Sequence, residues 1–360
     1  MSDGPHETSP KFQPYKLIVS ESSPRIRPSY PAIGVAFVAS LVGTCRFSVP
    51  ANSTPSEQKP IHATTEIVKI SVSVADAQGN FLGGLGAKQF RVLDNGAESP
   101  IAVFSPDDAP AKVMVMIETS PAVYLIQQQH LTGAYALIEG LSPDDQIALI
   151  TYDQMPRALL GFTSDRATFA TALGQLQYTM GAGELNLFDS LSEVLDWIAQ
   201  LSEKKAMVLL TTGLDSSPPE RWTALEDKLH AQDVVIYPVA LGGALRAPVE
   251  KKKKSAPSPL RDPDNPLSFA KSTEILREIA AMTGGRAFFP ESGGDFVPAY
   301  RQIAAALRHQ YVLGIAPGHD GKLHSLVVQL LGPDGQPLSL DPEKHAPHIF
   351  HRQGYLAPGP

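Results

Sequence analysis

The chain has 360 residues, of which 43% are apolar and 19% charged, and its formal net charge is −7 at pH 7. This composition is sufficient for a sizeable apolar core, and the negative charge argues against nucleic acid as a partner. The single cysteine, Cys45, excludes an intrachain disulfide and any metal site built from several cysteines.

The first 64 residues carry no pattern of a folded core. Residues 1–30 are polar and rich in Pro and Ser, which is typical of a disordered segment. Residues 31–45 are uncharged and mostly apolar, and they indicate a secretory signal or a membrane anchor of an extracytoplasmic protein. A buried strand or helix is the alternative interpretation. Cleavage, lipidation at Cys45 and retention as an anchor all stay open. Residues 46–64 are predicted to be a linker, and we expect no other contact with a membrane.

Two β-rich segments flank the middle of the chain, at residues 65–110 and 311–358. Apolar and polar residues alternate over residues 68–74, which predicts a half-buried strand. An Asp-Asn-Gly turn at residues 94–96 is predicted to lead into a strand over residues 101–104. Each segment is too short to bury a core by itself, so we predict that the two form one small β unit.

Residues 111–310 alternate predicted strands and helices, which indicates a doubly wound, mostly parallel α/β sheet. Residues 113–117 are consecutive apolar residues, so we predict a strand that is buried on both faces. Helices separate this strand from three more, which are predicted over residues 146–152, 206–210 and 234–241. Residues 244–268 interrupt the pattern and are predicted to be a loop insertion.

Polar residues follow the first of these strands directly. Glu118, Thr119 and Ser120 come after the apolar run. Ser120-Pro121 is typical of a helix N-cap with proline at the first helical position. Because ligands of open parallel sheets bind at the carboxyl ends of the strands, this strand end is the predicted centre of the functional site.

The strand that ends in Glu118-x-Ser120-x-Ala122 resembles the first strand of a von Willebrand factor type A domain. In that family the strand ends in Asp-x-Ser-x-Ser, the core of a metal-ion-dependent adhesion site. The whole chain after the linker is similar to the acidobacterial-type von Willebrand factor A-related family, which shares the runs at residues 283–289, 310–314 and 354–355. The resemblance implies a Rossmann-like type A fold and an exported protein, and it implies no particular activity.

The resemblance also implies that the metal site has degenerated. Glu118 replaces the Asp, and Ala122 replaces the second Ser. Leu185 stands at the Thr position of the second loop, and Thr212 stands at the Asp position of the third. Only Ser120 keeps its type. Mg²⁺ requires near-octahedral oxygen ligands, usually including one or two carboxylates. We therefore expect no cofactor and no metal, with Glu118 and Ser120 the remaining candidate ligands for Mg²⁺. The expected alternative is a solvated strand end at which Ser120 caps its helix.

The functional prediction is an exported, non-catalytic module that binds another protein and has a degenerate adhesion site. Loops on a rigid scaffold are where binding residues concentrate. The predicted binding residues at the strand ends are Glu118, Thr119, Ser120, Ala122, Leu185, Asp189, Thr211, Thr212 and Asp215. One alternative is a structural envelope protein held together by its β segments. Another is an enzyme on the same scaffold whose catalytic residues the sequence does not reveal.

Overall fold

The computed structural model of the chain describes residues 67–106, 110–180, 183–201, 203–245, 268–338 and 347–359. They all fall within one compact unit, Thr65–Pro360. The predicted disordered segment, the anchor, the linker and most of the loop insertion lie outside the described residues, so their boundaries stay predictions. Within the described part of the chain, no helix is both long enough and apolar enough to cross a membrane.

The described residues contain thirteen strands. They are β1 (Val68–Ala75), β2 (Phe90–Asp94), β3 (Ala97–Ser99), β4 (Val103–Pro106), β5 (Ala111–Glu118), β6 (Gln146–Tyr152), β7 (Pro156–Thr163), β8 (Lys204–Thr211), β9 (Val235–Ala240), β10 (Gln310–Ile315), β11 (Leu323–Leu330), β12 (His348–His351) and β13 (Gly354–Leu356). The helices are α1 (Pro121–Tyr124), α2 (Gln127–Gly140), α3 (Arg166–Gly174), α4 (Leu187–Ala199), α5 (Pro219–Ala231), α6 (Phe269–Thr283) and α7 (Phe296–Arg308).

The predicted doubly wound sheet is confirmed. Its strand order is β7-β6-β5-β8-β9, and all neighbours are parallel except β7, which runs antiparallel to β6. One face packs against α2, α3 and α7, and the other packs against α4, α5 and α6. Along β5, Val113 and Val115 belong to the first apolar cluster and Met114 and Met116 to the second. The strand is therefore buried on both faces, as its apolar run predicts.

The edge strand β7 is a feature that the sequence did not predict. It begins at Pro156, contains Gly161, and all of its residues are exposed or half-buried. Its apolar residues at 158–160 and 162 are interrupted by Gly161 and do not alternate with polar residues, so periodicity gives only a weak strand signal. Its structure depends on backbone pairing with β6, which has shifts of register. Proline and glycine are tolerated there because an edge strand has only one neighbour to pair with.

The two flanking segments form two four-stranded antiparallel sheets, in the orders β12-β1-β10-β4 and β13-β11-β2-β3. Each sheet combines strands from both ends of the chain, which alternate in the first sheet only, and one apolar cluster joins the two sheets. The prediction that the flanks form one added β unit is confirmed as part of the fold class. The predicted hairpin partner was wrong, however. The turn at residues 94–96 leads to β3, whereas β4, which overlaps the predicted strand, pairs with β10 in the other sheet.

Candidate functional site

Glu118 lies where the winding of the sheet reverses. Its strand, β5, pairs with both β6 and β8. The helix that follows β5 packs on one face of the sheet, and the helix that follows β8 packs on the other. In open α/β sheets, a crevice at this point binds ligands. Here the Glu118 side chain is fully buried, at 0% exposure. The expectation of a solvated strand end was wrong, because polar side chains of neighbouring strands close over the carboxylate.

Five polar atoms lie within hydrogen-bond distance of the Glu118 carboxylate. Oε2 accepts from the backbone N–H of Thr212 at 2.7 Å and from its Oγ1 at 2.8 Å. The Thr211 Oγ1 and the Tyr152 hydroxyl lie 3.1 and 3.2 Å from the same oxygen. Oε1 accepts from Ser120 Oγ at 2.6 Å. We call these residues the Glu118 cluster: Glu118, Ser120, Tyr152, Thr211 and Thr212.

The cluster compensates for burying a carboxylate. An ionised group without hydrogen bonds or a counter-charge is costly to bury. Tyr152 and Thr211 also contact each other, at 2.5 Å between their hydroxyl oxygens, so their two protons serve three contacts. Burial, together with the negative charge of Glu118, raises the pKa of the Tyr152 hydroxyl well above its usual value. The hydroxyl therefore stays protonated and remains a donor.

The donor set does not fit a magnesium ion. Polar atoms of three residues already surround Oε2 of Glu118, and Oε1 receives the proton of Ser120. Leu185 and Ala122 have no side-chain oxygen to offer. Octahedral coordination would require most ligands to be water. Among the residues that the structure describes, no group of three or more His, Cys, Asp or Glu side chains is arranged to hold a metal ion.

Asp215 connects the second and third loops of the site. Its Oδ2 accepts the backbone N–H of Phe188 at 2.8 Å, in the first turn of α4. Next to it, Ser216 N–H donates to the Leu185 carbonyl at 2.8 Å, and Leu185 N–H donates to Ser216 Oγ at 3.1 Å. The residue at the N-cap position of α4 makes no capping bond of its own. Asp215 thus satisfies one of the free amides of this helix from a neighbouring loop.

We expect Asp215→Ala to lower the free energy of unfolding by about 1–2 kcal/mol, because a buried helix amide loses its acceptor. Asp189 is the matched control in the same turn of α4. It is exposed, and its ion pair with Arg221 spans 3.5 Å in solvent, so Asp189→Ala should cost about 0.5 kcal/mol or less. Urea denaturation of both variants measures the difference. Equal losses would contradict a capping role for Asp215.

A second polar group joins the loops after β5, β6 and α3. Both the N–H and the Oγ1 of Thr119 donate to the Tyr152 carbonyl, at 2.9 and 3.1 Å. The Thr179 N–H donates to the Thr119 carbonyl, and its Oγ1 donates to Asp153 at 2.6 Å. Burial disfavours the charge of Asp153, but hydrogen bonds from Thr179 and Arg157 outweigh burial and lower its pKa. These contacts fix three loops against one another at the same edge of the sheet.

The predicted site residues are therefore only partly brought together. Ser120 stands at the N-cap position of α1, but its hydroxyl bonds to Glu118 and does not cap the helix, contrary to expectation. Ala122 is half-buried in α1 and contributes no polar group. Sequence reasoning missed Tyr152 and Asp153. The available signal was their position at the end of β6, which is a neighbour of β5 and ends at the same edge.

Large apolar side chains are exposed beside these loops. Tyr124 and Leu125 follow β5, Met155 follows β6, and Met180 follows Thr179. Their exposed fractions are 43%, 75%, 48% and 72%, respectively. We call Tyr124, Leu125, Met155 and Met180 the apolar edge. The loops that carry these side chains are hydrogen-bonded to one another, so the backbone beneath the apolar edge is held in place.

A cavity of about 200 Å³ lies at the carboxyl ends of β8 and β9. Thr212, a member of the Glu118 cluster, lines it together with Arg277 and Phe289. Small-molecule sites usually measure roughly 300–1,000 Å³. This cavity is smaller, so it is better suited to a single side chain than to a whole metabolite.

No protein-family model and no curated protein matches the chain. Solved structures that resemble it include a von Willebrand factor type A protein from Catenulispora acidiphila, at 11% identity and a TM-score of 0.40, covering 81% of this chain and 75% of that one. An aerotolerance-related membrane protein from Bacteroides fragilis matches at 12% identity and a TM-score of 0.39, over 55% of this chain and 98% of that one. The PilB minor pilin from Streptococcus sanguinis matches at 10% identity and a TM-score of 0.41, covering 58% of this chain and 63% of that one. These are likenesses of fold, and they include the family that the sequence resembles.

Proposed function

We propose that this protein is a non-catalytic protein-binding module of the von Willebrand factor type A kind, which binds through the carboxyl edge of its central sheet. The main support is the apolar edge. Exposed apolar patches mark interaction sites, and aromatic and methionine side chains are enriched in protein interfaces. Here such side chains stand on loops above a rigid sheet, where binding residues concentrate.

In this proposal the Glu118 cluster replaces the metal ion of the adhesion site as a structural element. It joins the ends of β5, β6 and β8 through one buried carboxylate. Loops on either side of a metal would otherwise be held by coordination. In this protein hydrogen bonds to Glu118 hold the loops instead, so binding needs no divalent cation.

The absence of catalysis is also part of the proposal. A serine nucleophile needs a base within reach and access to a substrate. Ser120 is buried, and its proton is held by a carboxylate that is itself surrounded by hydroxyls and an amide. The best-placed serine of the site therefore lacks the exposure that an attacking group requires.

We further propose an extracytoplasmic location, on the basis of the uncharged residues 31–45 and their flanking arginines. Affinity capture with the purified protein tests both ideas together, using separate envelope and cytoplasmic extracts of the source cells. A specific partner enriched from the envelope extract is expected. Enrichment from the cytoplasmic extract alone would contradict the location.

We expect the double variant Leu125→Ser, Met180→Ser to bind the captured partner at least about 10-fold more weakly, because buried apolar anchors dominate interface energies. Both side chains are exposed, so the melting temperature should stay unchanged. The matched control is Leu323→Ser, which removes a leucine that is 54% exposed on β11 in the added β unit. Equal binding of the double variant, the control and the unmodified protein would refute the proposed surface.

A further inference from the structure

A histidine of the added β unit is held between two carboxylates. The Nδ1 atom of His324 lies 2.7 Å from Oδ1 of Asp94, and its Nε2 lies 3.1 Å from Oδ1 of Asp320. The Tyr355 hydroxyl donates to the other Asp94 oxygen at 2.9 Å and accepts the Gly318 N–H at 2.9 Å. The His324 side chain is only 11% exposed. This group is separate from the binding edge and plays no part in the proposed function.

The contacts of the two ring nitrogens favour a positively charged ring. A neutral imidazole has one donor nitrogen and one acceptor nitrogen, whereas an ionised carboxylate only accepts. Both contacts of His324 are therefore satisfied only when both nitrogens carry protons. Burial opposes this charge, but the hydrogen bonds and negative charges of Asp94 and Asp320 outweigh burial and raise the pKa of His324 above its usual value of about 6.5. Loss of the proton would leave an acceptor nitrogen facing an acceptor oxygen.

Three separate segments meet at this ring. Asp94 ends β2, and Tyr355 lies in β13 directly opposite His324. Asp320 lies in the loop of residues 316–322, where Lys322 adds a positive charge that favours its ionised form. A side chain at Gly318 would overlap the His324 ring, so this loop packs directly against it.

We propose that His324 is a pH-sensitive latch, which as the imidazolium holds the loop of residues 316–322 and strand β13 against β2 and which releases the loop when it loses its proton. The latch is fully engaged below about pH 6.5 and is lost as the pH rises through the raised pKa of the folded protein. At the acid end, hydrogen bonds from the Lys322 N–H and from His324 lower the pKa of Asp320. That carboxylate therefore keeps its charge, and its contact with the imidazolium, to a lower pH than an ordinary aspartate does.

Hydrogen bonds of Arg352 connect β13 to the α/β domain, so release of the latch also affects that domain. Arg352, just before β13, donates from Nε to the Gly354 carbonyl at 2.7 Å and from its guanidinium to the His230 carbonyl, at the end of α5. The strand that His324 holds is thus tied to a helix of the central sheet. Loosening of β13 weakens this tie as well.

Two measurements on the full-length protein test the latch. The first is the NMR titration of the His324 ring, for which we expect a midpoint above about 6.5. The second is trypsin cleavage after Lys322, which is exposed in the loop. We expect the cleavage rate to rise about 10-fold or more as His324 loses its proton, after correction with a free peptide of the same sequence.

The variant Asp320→Asn removes one carboxylate. It should therefore lower the midpoint of the His324 titration, and the pH at which cleavage after Lys322 accelerates should fall with it. The control His348→Gln removes an exposed histidine of β12 and should change neither. A His324 midpoint at or below about 6.5 in the unmodified protein would overturn the proposal. A Lys322 cleavage rate that does not depend on pH would do the same. Both of these outcomes are decided on the unmodified protein, whether or not the variant folds.

Discussion

Glu118→Ala should lower the free energy of unfolding by about 3–5 kcal/mol, because it removes the acceptor at the centre of the Glu118 cluster. Each buried donor left without a partner costs about 1–3 kcal/mol. Tyr152 and Thr211 can still bond to each other, which limits the loss. The Ser120 hydroxyl and the Thr212 N–H donate only to Glu118 within the cluster, so their loss is not offset in the same way.

Two further variants isolate the role of the carboxylate in urea denaturation. Glu118→Gln keeps the shape and one acceptor oxygen, and its amide can donate to Ser120 Oγ, so we expect a loss of about 1–2 kcal/mol. Glu139 is an exposed carboxylate on α2, and Glu139→Ala should change stability by no more than about 0.5 kcal/mol. If Glu118→Ala cost less than about 1 kcal/mol, the cluster would not be what holds the three strand ends together.

Magnesium should leave the stability of the unmodified protein unchanged, whereas restoring four residues should produce a response of about 2–3 kcal/mol. The restored variant combines Glu118→Asp, Ala122→Ser, Leu185→Thr and Thr212→Asp. A ligand that binds only the folded state adds RT ln(1 + [L]/Kd), which is about 2.7 kcal/mol at 100 times Kd. Without metal, the restored variant should be less stable than the parent, because two buried carboxylates then repel each other.

Melting curves with and without about 5 mM Mg²⁺ measure this response. In the restored variant the ion should raise the melting temperature by several degrees. The triple variant that keeps Thr212 has a single carboxylate and should respond much less. A clear upward shift in the unmodified protein would mean that Glu118 exchanges its hydrogen bonds for a metal ion after all. No shift in the restored variant would mean that the positions were matched to the wrong loops.

The sequence predicts those parts of the fold in which one physical signal dominates. Residues 113–117 needed no knowledge of their neighbours, since an unbroken apolar run is stable only between two covered faces. The edge strand β7 is the opposite case, because Pro156 and Gly161 argue against a strand and only its pairing with β6 decides otherwise. The partner of the turn at residues 94–96 was also missed, because two short strands follow it and their assignment to sheets depends on contacts with β10 and β2.

The proximity of Glu118, Thr211 and Thr212 could be predicted from the sequence, but the burial of the carboxylate could not. The rule that strand ends meet at one edge places Glu118, Thr211 and Thr212 together. Whether the carboxylate is exposed depends on Tyr152. In the sequence this residue looks like the last apolar residue of a strand, and the pattern does not indicate that its hydroxyl contacts Glu118. The Ser120 hydroxyl had two available partners, an amide of its own helix and the carboxylate two residues earlier. Only the three-dimensional distances decide between them.

The interleaving of β1 with β10 and β12 sets an order for folding during synthesis. The strands of the central sheet are complete once β9 has left the ribosome, whereas β1 leaves first and has to wait for partners near the other end of the chain. Domains form as they emerge, and contacts between distant segments form slowly. An unpaired strand is a template for association with other chains. A nascent chain interrupted before β10 would therefore carry a formed α/β sheet and an unpaired β1, which exposes such a truncated chain to association with other chains.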